Sequence, residues 1–476
     1  MQSAKALELS NDELEQLVKS VMEYITGYLA GIESHPVDTS HAADPEYIRS
    51  LVESAPENGT AVDSLLALLF ERGAGESLNP TSPGFMGYVP GGGLIHAGVA
   101  DLIASTLNRY VGVATVAPVL AQIEANVIRW FCEIVGYPKT ARGFLTSGGS
   151  LATMSAIITA RHTELGESFS KGVIYVSDQV HHCVNKAAIL AGFPRANVRV
   201  LEADASYRLD PRDVLAAIRK DRAQGLTPFL LAASAGTTNT GAVDPLPALA
   251  ALAKKEHLWF HVDAAYGGFF CMTDRGKQIL EGISQADSIV LDPHKTLFLP
   301  YGTGALLVQN GNHLKATHSS VAAYMPPMQQ EDAFVDFCEL SPELTRPFRG
   351  LRVWLPMKMH GLSVFRAYLN EKLDLARWIQ ARLEEISALR ILAPAELSIL
   401  AFAIADPSSV DTSVDLLNRK TKELLQLINK KNRVHLTGTM VKGVFAIRIA
   451  ISSFRTHQGR LQMLLEDIVE SLSEMD

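Results

Sequence analysis

Apolar positions recur along this chain with two distinct periods. Leu14, Leu17, Val18, Val21, Ile25 and Leu29 follow one another at helical spacing. They stand behind Ser10-Asn11-Asp12-Glu13, which has the form of a capping box. The pattern predicts an amphipathic N-terminal helix whose apolar stripe needs a partner surface. Residues 94–135 again read as helical, and 350–390 as long helices. Between about 143 and 310 the pattern changes. Short apolar runs at Gly143–Leu145, Val173–Val176, Val198–Leu201, Phe229–Ala233, Leu258–Val262, Ser288–Leu291 and Ala305–Val308 alternate with helical stretches such as Leu151–Arg161 and Asp210–Asp221. Near-continuous apolar strands alternating with helices predict a mostly parallel sheet covered on both faces. The last hundred residues mix strands (Ser398–Ile404, Val444–Ile449) with helices. The expected layout is a helical segment over 1–80, a large α/β domain over 81–355 and a small α+β domain over 356–476.

Composition narrows the class. With 47% hydrophobic and 20% charged residues the chain is globular, and 476 residues can bury a large core. A net charge of −8 gives no reason to seek nucleic acid or an anionic membrane. No run approaches the ~20 apolar residues a bilayer needs, and the first twenty residues lack a signal-type apolar stretch. Four cysteines lie far apart without a CxxC pair, which argues against a zinc knuckle or disulfide framework and fits a cytoplasmic location.

In a sheet of this kind ligands bind beyond the carboxyl ends of the strands, so the segments after each strand hold the candidate chemistry. After Leu145 comes Thr146-Ser147-Gly148-Gly149-Ser150 and then a helix. Backbone N–H groups at a helix start suit a phosphate, although a Gly-Ser turn before a helix also serves as a plain cap. After Val176 comes Ser177-Asp178-Gln179-Val180-His181-His182. Adjacent histidines seldom converge on one metal. The open readings are an imidazole stacked on a flat ligand and a loop histidine bonded to backbone. After Ala233, Gly236-Thr237-Thr238-Asn239 offers hydroxyls to a polar ligand edge. Asp263-Ala264-Ala265 follows the next strand. The carboxylate reads equally as a ligand partner or a cap, and the small residues would admit a flat ring. Asp292-Pro293-His294-Lys295 follows Leu291. A lysine there is either a surface side chain that snorkels to water or an amine whose pKa burial lowers enough to make it a nucleophile. Taken together, a phosphate seat, a stacking ring, a carboxylate, hydroxyls and an amine at one sheet edge match one ligand, pyridoxal 5'-phosphate.

Four segments, SDQVHHCVNKA, AGTTNTGAVDPL, WFHVDAAYGG and ADSIVLDPHK, closely resemble the pyridoxal-phosphate-dependent (group II) amino-acid decarboxylases, the family that includes aromatic-L-amino-acid decarboxylase. The resemblance runs from about Pro83 to Trp354. It implies the aspartate-aminotransferase-like fold (fold type I), with a mostly parallel sheet, an N-terminal helical segment and a small α+β C-terminal domain. It also implies a homodimer with active sites at the subunit interface. Carried over, Lys295 bonds the cofactor and Asp263 pairs with the pyridine nitrogen. His181 stacks on the ring, Gly149 and Ser150 hold the phosphate, and Thr238 bonds near the ring. Ala265, Asp292 and His294 complete the cofactor contacts. Asp292 stands where some members carry Asn near the phosphate, and a carboxylate there needs a hydroxyl or backbone donor beside it. Tyr324 matches a loop tyrosine that delivers a proton to the substrate carbon, whereas phenylalanine there goes with aldehyde formation. Tyr88 and Gly91, with His181, fall in the segments that contact substrate.

Some positions depart from the family pattern. Leu151 and Thr296 replace an acidic residue and a tryptophan. Val89, Gly91, Val111 and Val113 suggest a slimmer, less aromatic pocket, and Arg109 reads either as a partner for an acidic substrate or as a surface ion pair at a helix end. The expected activity is decarboxylation of an L-amino acid to the amine and CO2, with aromatic acids leading. The alternatives are glutamate or another acidic amino acid, oxidative conversion to an aldehyde, and a non-catalytic homologue.

Overall fold

The computed structural model describes residues 7–320, 328, 334–405 and 413–475. Its contacts divide the chain into two compact units. One comprises residues 1–85, 426–435 and 455–476, and the other residues 86–425 and 436–454.

In the first unit α1 (Asn11–Gly31) starts at the predicted capping box. Glu13 N donates to Ser10 Oγ at 3.3 Å and Ser10 N to Glu13 Oε2 at 2.8 Å. No residue of α1 is fully buried. Leu17, Val21, Ile25 and Leu29 of the stripe are partly buried, while Leu14, Val18 and the neighbouring Met22 are exposed, so one edge of the helix is uncovered within this unit.

The second unit is built on a seven-stranded sheet in the order β1-β7-β6-β5-β4-β2-β3. The strands are β1 (Arg142–Thr146), β2 (Gly172–Ser177), β3 (Val198–Leu201), β4 (Thr227–Ser234), β5 (Trp259–Asp263), β6 (Ser288–Leu291) and β7 (Gly304–Val308). All seven predicted runs are strands. β2 through β6 pair in parallel, while β7 runs antiparallel to both β1 and β6. Helices α2 (Ile95–Leu107), α3 (Pro118–Ile134), α4 (Gly149–Leu165), α5 (Pro211–Ala223) and α6 (Leu246–Lys255) belong to this unit, followed by the short α7 (Pro293–Thr296) and the long α8 (Arg349–Glu384). Central strands carry side chains that are buried on both faces, such as Val173, Ile174, Tyr175 and Val176, because helices cover the sheet above and below.

A smaller antiparallel sheet, ordered β10-β11-β9-β8, lies in the same unit. Its strands are β8 (Leu389–Ala393), β9 (Ile399–Ile404), β10 (Thr437–Val441) and β11 (Val444–Ala450). β8 and β10 were not among the predicted strands. Among the described residues no helix is long and apolar enough to cross a membrane.

Candidate active site

The ends of β1, β2, β4, β5 and β6 open into one cavity of about 320 Å³. Gly149, Ser150, His181, Thr238, Asp263, Ala265, Asp292, His294 and Lys295 all line it. The parallel sheet brings these residues together because its strand ends share one edge, at the reversal of strand order where such folds bind ligands.

The turn after β1 is held by Thr146. Its Oγ1 donates to Gly148 O at 2.9 Å and accepts from Gly148 N at 3.2 Å. Gly304 on β7 approaches so closely that a Cβ there would stand 2.5 Å from Gly148 C. α4 starts at this turn with no side-chain cap, so the N–H groups of Gly149 and Ser150, which line the cavity, are available to a ligand.

Asp263 ends β5. Its Oδ1 accepts from Ala265 N at 3.1 Å, which orients the carboxylate. His181 accepts from Cys183 N through Nδ1 at 3.3 Å. Burial lowers the His181 pKa against the opposing charge of Asp263, so the ring is held neutral at ordinary pH. A neutral ring is suited to stacking. No metal cluster of three or more His, Cys, Asp or Glu occurs among the described residues. Burial pushes the Cys183 thiol up to about 12, which removes it as a nucleophile.

Lys295 sits on α7 with its Nζ 3.0 Å from Asp292 Oδ2, and its side chain is about one-fifth exposed at 22%. The downward shift that burial alone would give does not occur. Burial does pull the amine down, but the charges of Asp292 and Asp263 outweigh it and the net direction is up. In the cofactor-free chain Lys295 is thus an ammonium paired with Asp292. The donor beside Asp292 is this ammonium, not the expected hydroxyl or backbone N–H. His294 Nδ1 donates to Thr303 O at 2.7 Å, so the proton sits on Nδ1 and Nε2 faces Asp292 at 3.7 Å. Burial lowers the His294 pKa as well.

Other candidates lie elsewhere. Tyr88 and Gly91 are outside the cavity lining. Tyr88 is exposed, with φ 47°, and its N–H donates to Thr437 Oγ1 at 3.3 Å. A Cβ on Gly91 would meet the Tyr301 ring at 3.3 Å. Arg109 donates to Leu107 O at 2.7 Å and does not reach the cavity. Val111 and Val113 are fully buried within their own chain. Thr296 is buried too, and its hydroxyl donates to Tyr266 O at 2.9 Å. Tyr324 lies outside the described residues.

Arg448 was not foreseen. It is 4% exposed, and its guanidinium donates to Asn239 O at 2.9 Å, Thr437 Oγ1 at 3.0 Å and Thr238 O, bracing the loop after β4. Burial brings its pKa down to about 10. Its one sequence signal was an arginine inside an otherwise apolar strand, FAIRIA.

The lining fits pyridoxal phosphate. It offers N–H donors and hydroxyls for a phosphate, a neutral imidazole for the ring, a carboxylate and an amine. The profile of the pyridoxal-dependent decarboxylase conserved domain matches residues 45–405. An aromatic-L-amino-acid decarboxylase from Bacillus atrophaeus is 33% identical over 98% of this chain and 97% of its own length. A phenylacetaldehyde synthase from Arabidopsis thaliana is 26% identical over 99% and 98%. The crystal structure of Oryza sativa TDC with PLP and tryptamine superposes with a TM-score of 0.93 at 25% identity, covering 99% of this chain and 100% of that one. The chain belongs to the pyridoxal-dependent decarboxylase family. It is a pyridoxal-phosphate-dependent amino-acid carboxy-lyase.

Proposed function

We propose that this enzyme decarboxylates an aromatic L-amino acid to the corresponding amine. The observation that carries the reading is the convergence of Lys295, Asp263 and His181 with the Gly148–Ser150 turn in one cavity. When bound, pyridoxal phosphate supplies an electron sink for the pair left on the substrate carbon as CO2 departs. Lys295 would hold the cofactor through its amine. Asp263 would keep a proton on the pyridine nitrogen by its charge. His181 would cover the ring face. Gly149 and Ser150 would seat the phosphate at the start of α4, with Thr238 and Ala265 beside the ring. Tyr324 returns a proton to the substrate carbon, a role that rests on the family resemblance.

Two observations favour an aromatic over an acidic side chain. Among the described lining residues Lys295 is the sole Lys or Arg, and Arg109 is bonded to its own helix end. Similar curated proteins such as a tryptophan decarboxylase of Oryza sativa and a tyrosine decarboxylase of Petroselinum crispum carry aromatic-acid names. The pocket segment with Tyr88 and Gly91 is assigned to the substrate side chain, beside Tyr301.

The working unit in this reading is a homodimer. Exposed Val99, Leu102 and Ile103 on α2, and separately Leu14, Val18 and Met22 on α1, offer apolar faces for a second copy. Four unpaired cysteines agree with a cytoplasmic location. The test is mass spectrometry of products from the loaded enzyme and a mixture of common amino acids. An aromatic amine short of its substrate by CO2 alone supports the reading; an acidic-acid product or an aldehyde overturns it.

A further inference from the structure

Asp292 stands between Lys295 and the turn that opens α4. Its side chain is 3% exposed, and Oδ2 is taken by Lys295 Nζ at 3.0 Å. Oδ1 is buried and has no hydrogen-bond partner. Glycine is what lets this carboxylate lie against the turn. A Cβ on Gly149 would stand 2.9 Å from Oδ2 and 3.3 Å from Oδ1, and a Cβ on Gly304 would stand 2.8 Å from Oδ1. The unpartnered oxygen therefore borders the N–H groups assigned to the phosphate.

An ionised carboxylate only accepts hydrogen bonds, and a doubly ionised phosphate monoester likewise brings no hydrogen of its own. Two such acceptors at one turn require a hydrogen between them. The surrounding charges do not provide it. On its own turn Asp292 faces Lys295, and His294 Nε2 at 3.7 Å from Oδ2. From the β2 side it acts on His181 and Cys183. Lys295 is engaged by Oδ2 and also answers Asp263. His294 keeps its single proton on Nδ1 for Thr303 O.

We propose that Asp292 Oδ1 and a phosphate oxygen of the bound cofactor share one proton, which the site draws from solvent as the phosphate enters. The proposal rests on the phosphate seat described above and adds a proton to it. A phosphate monoester loses its second proton near pH 6. Above that pH each bound ligand draws in one proton, and affinity falls about tenfold per pH unit on this account. An amide at position 292 would donate its own hydrogen and abolish the effect.

The probe is 4'-deoxypyridoxine 5'-phosphate, which lacks the aldehyde and binds without bonding Lys295. Calorimetric titration of the full-length cofactor-free chain, between pH 7 and 8.5 in two buffers of different ionisation enthalpy, counts protons taken up. Wild type is expected to take up about one proton more per ligand than Asp292→Asn, with affinity falling about tenfold more steeply per pH unit. Asp292→Ser, which supplies a hydroxyl donor, should match Asp292→Asn. Wild type alone gives the same test when the ester is compared with 4'-deoxypyridoxine, because ring protonation is common to both ligands. Equal proton counts for ester and alcohol in wild type overturn the proposal. Absence of any gain in affinity from the phosphate group overturns the seat itself, and the proposal with it.

Discussion

Arg346 Nη1 stands 2.6 Å from Glu124 Oε1, and neither side chain has any exposed surface. The same guanidinium donates to Leu145 O at 3.0 Å, one residue before the turn that opens the cofactor cavity. Glu124 Oε2 accepts from Gly350 N at 3.2 Å. This pair ties α3 and the start of α8 to the end of β1. Arg346→Met leaves Glu124 buried without its counter-charge, which costs about 3–5 kcal/mol. Urea unfolding should show that loss as a lower midpoint.

Lys295→Ala removes the one amine among the described lining residues of the cavity. CO2 release should fall to background, while the phosphate seat remains. The near-visible absorbance of the wild-type complex and its loss on borohydride reduction should both be missing from the variant. Normal turnover by Lys295→Ala would remove this lysine from the mechanism.

Asp263→Asn replaces a carboxylate by a neutral amide at the end of β5. Without that charge the pyridine nitrogen is no longer held protonated, and kcat should fall on the order of a hundredfold or more. Ala265 N keeps an oxygen acceptor in the variant, so the local fold should persist. Circular dichroism and kcat together check this.

Tyr324→Phe should move product from amine toward aldehyde when dioxygen is present. Product chromatography under air and under nitrogen measures the partition. Unchanged amine yield in both would take Tyr324 out of the protonation step.

His261 is fully buried on β5, with Nδ1 2.8 Å from Ser288 Oγ. Burial lowers its pKa from 6.5 to about 4. A depressed histidine favours the folded state above the unfolded value, and that contribution is lost as pH falls from 6.5 toward 4. Over the interval from pH 7 to 5 its share of the loss is about 2 kcal/mol. His261→Leu should lose that much less than wild type over the same interval, because Ser288 Oγ still accepts from Trp259 Nε1 at 2.8 Å. Denaturant midpoints at the two pH values check it.

The seven strands of the large sheet were legible because each is a short apolar run bounded by polar or glycine-rich turns. The direction of β7 was not, since an apolar run looks the same whichever way it pairs. β8 and β10 escaped because Arg390, Thr437 and Thr439 interrupt their apolar residues. In the site, residue types after each strand pointed to the right ligand. The charge state of Lys295 was left open, because the sequence does not display two carboxylates closing on one amine.

Local pattern thus determined the strands, the capping box, the turns after the strands and the class of ligand they suit, because periodicity, glycine and hydrogen-bonding side chains act over a few residues. Tertiary structure alone decided which charges meet. Glu124 finds Arg346, Arg448 finds the carbonyls of Thr238 and Asn239, and Gly304 finds Gly148, all across long stretches of chain. Electrostatics at short range depends on distance and burial, and folding sets both.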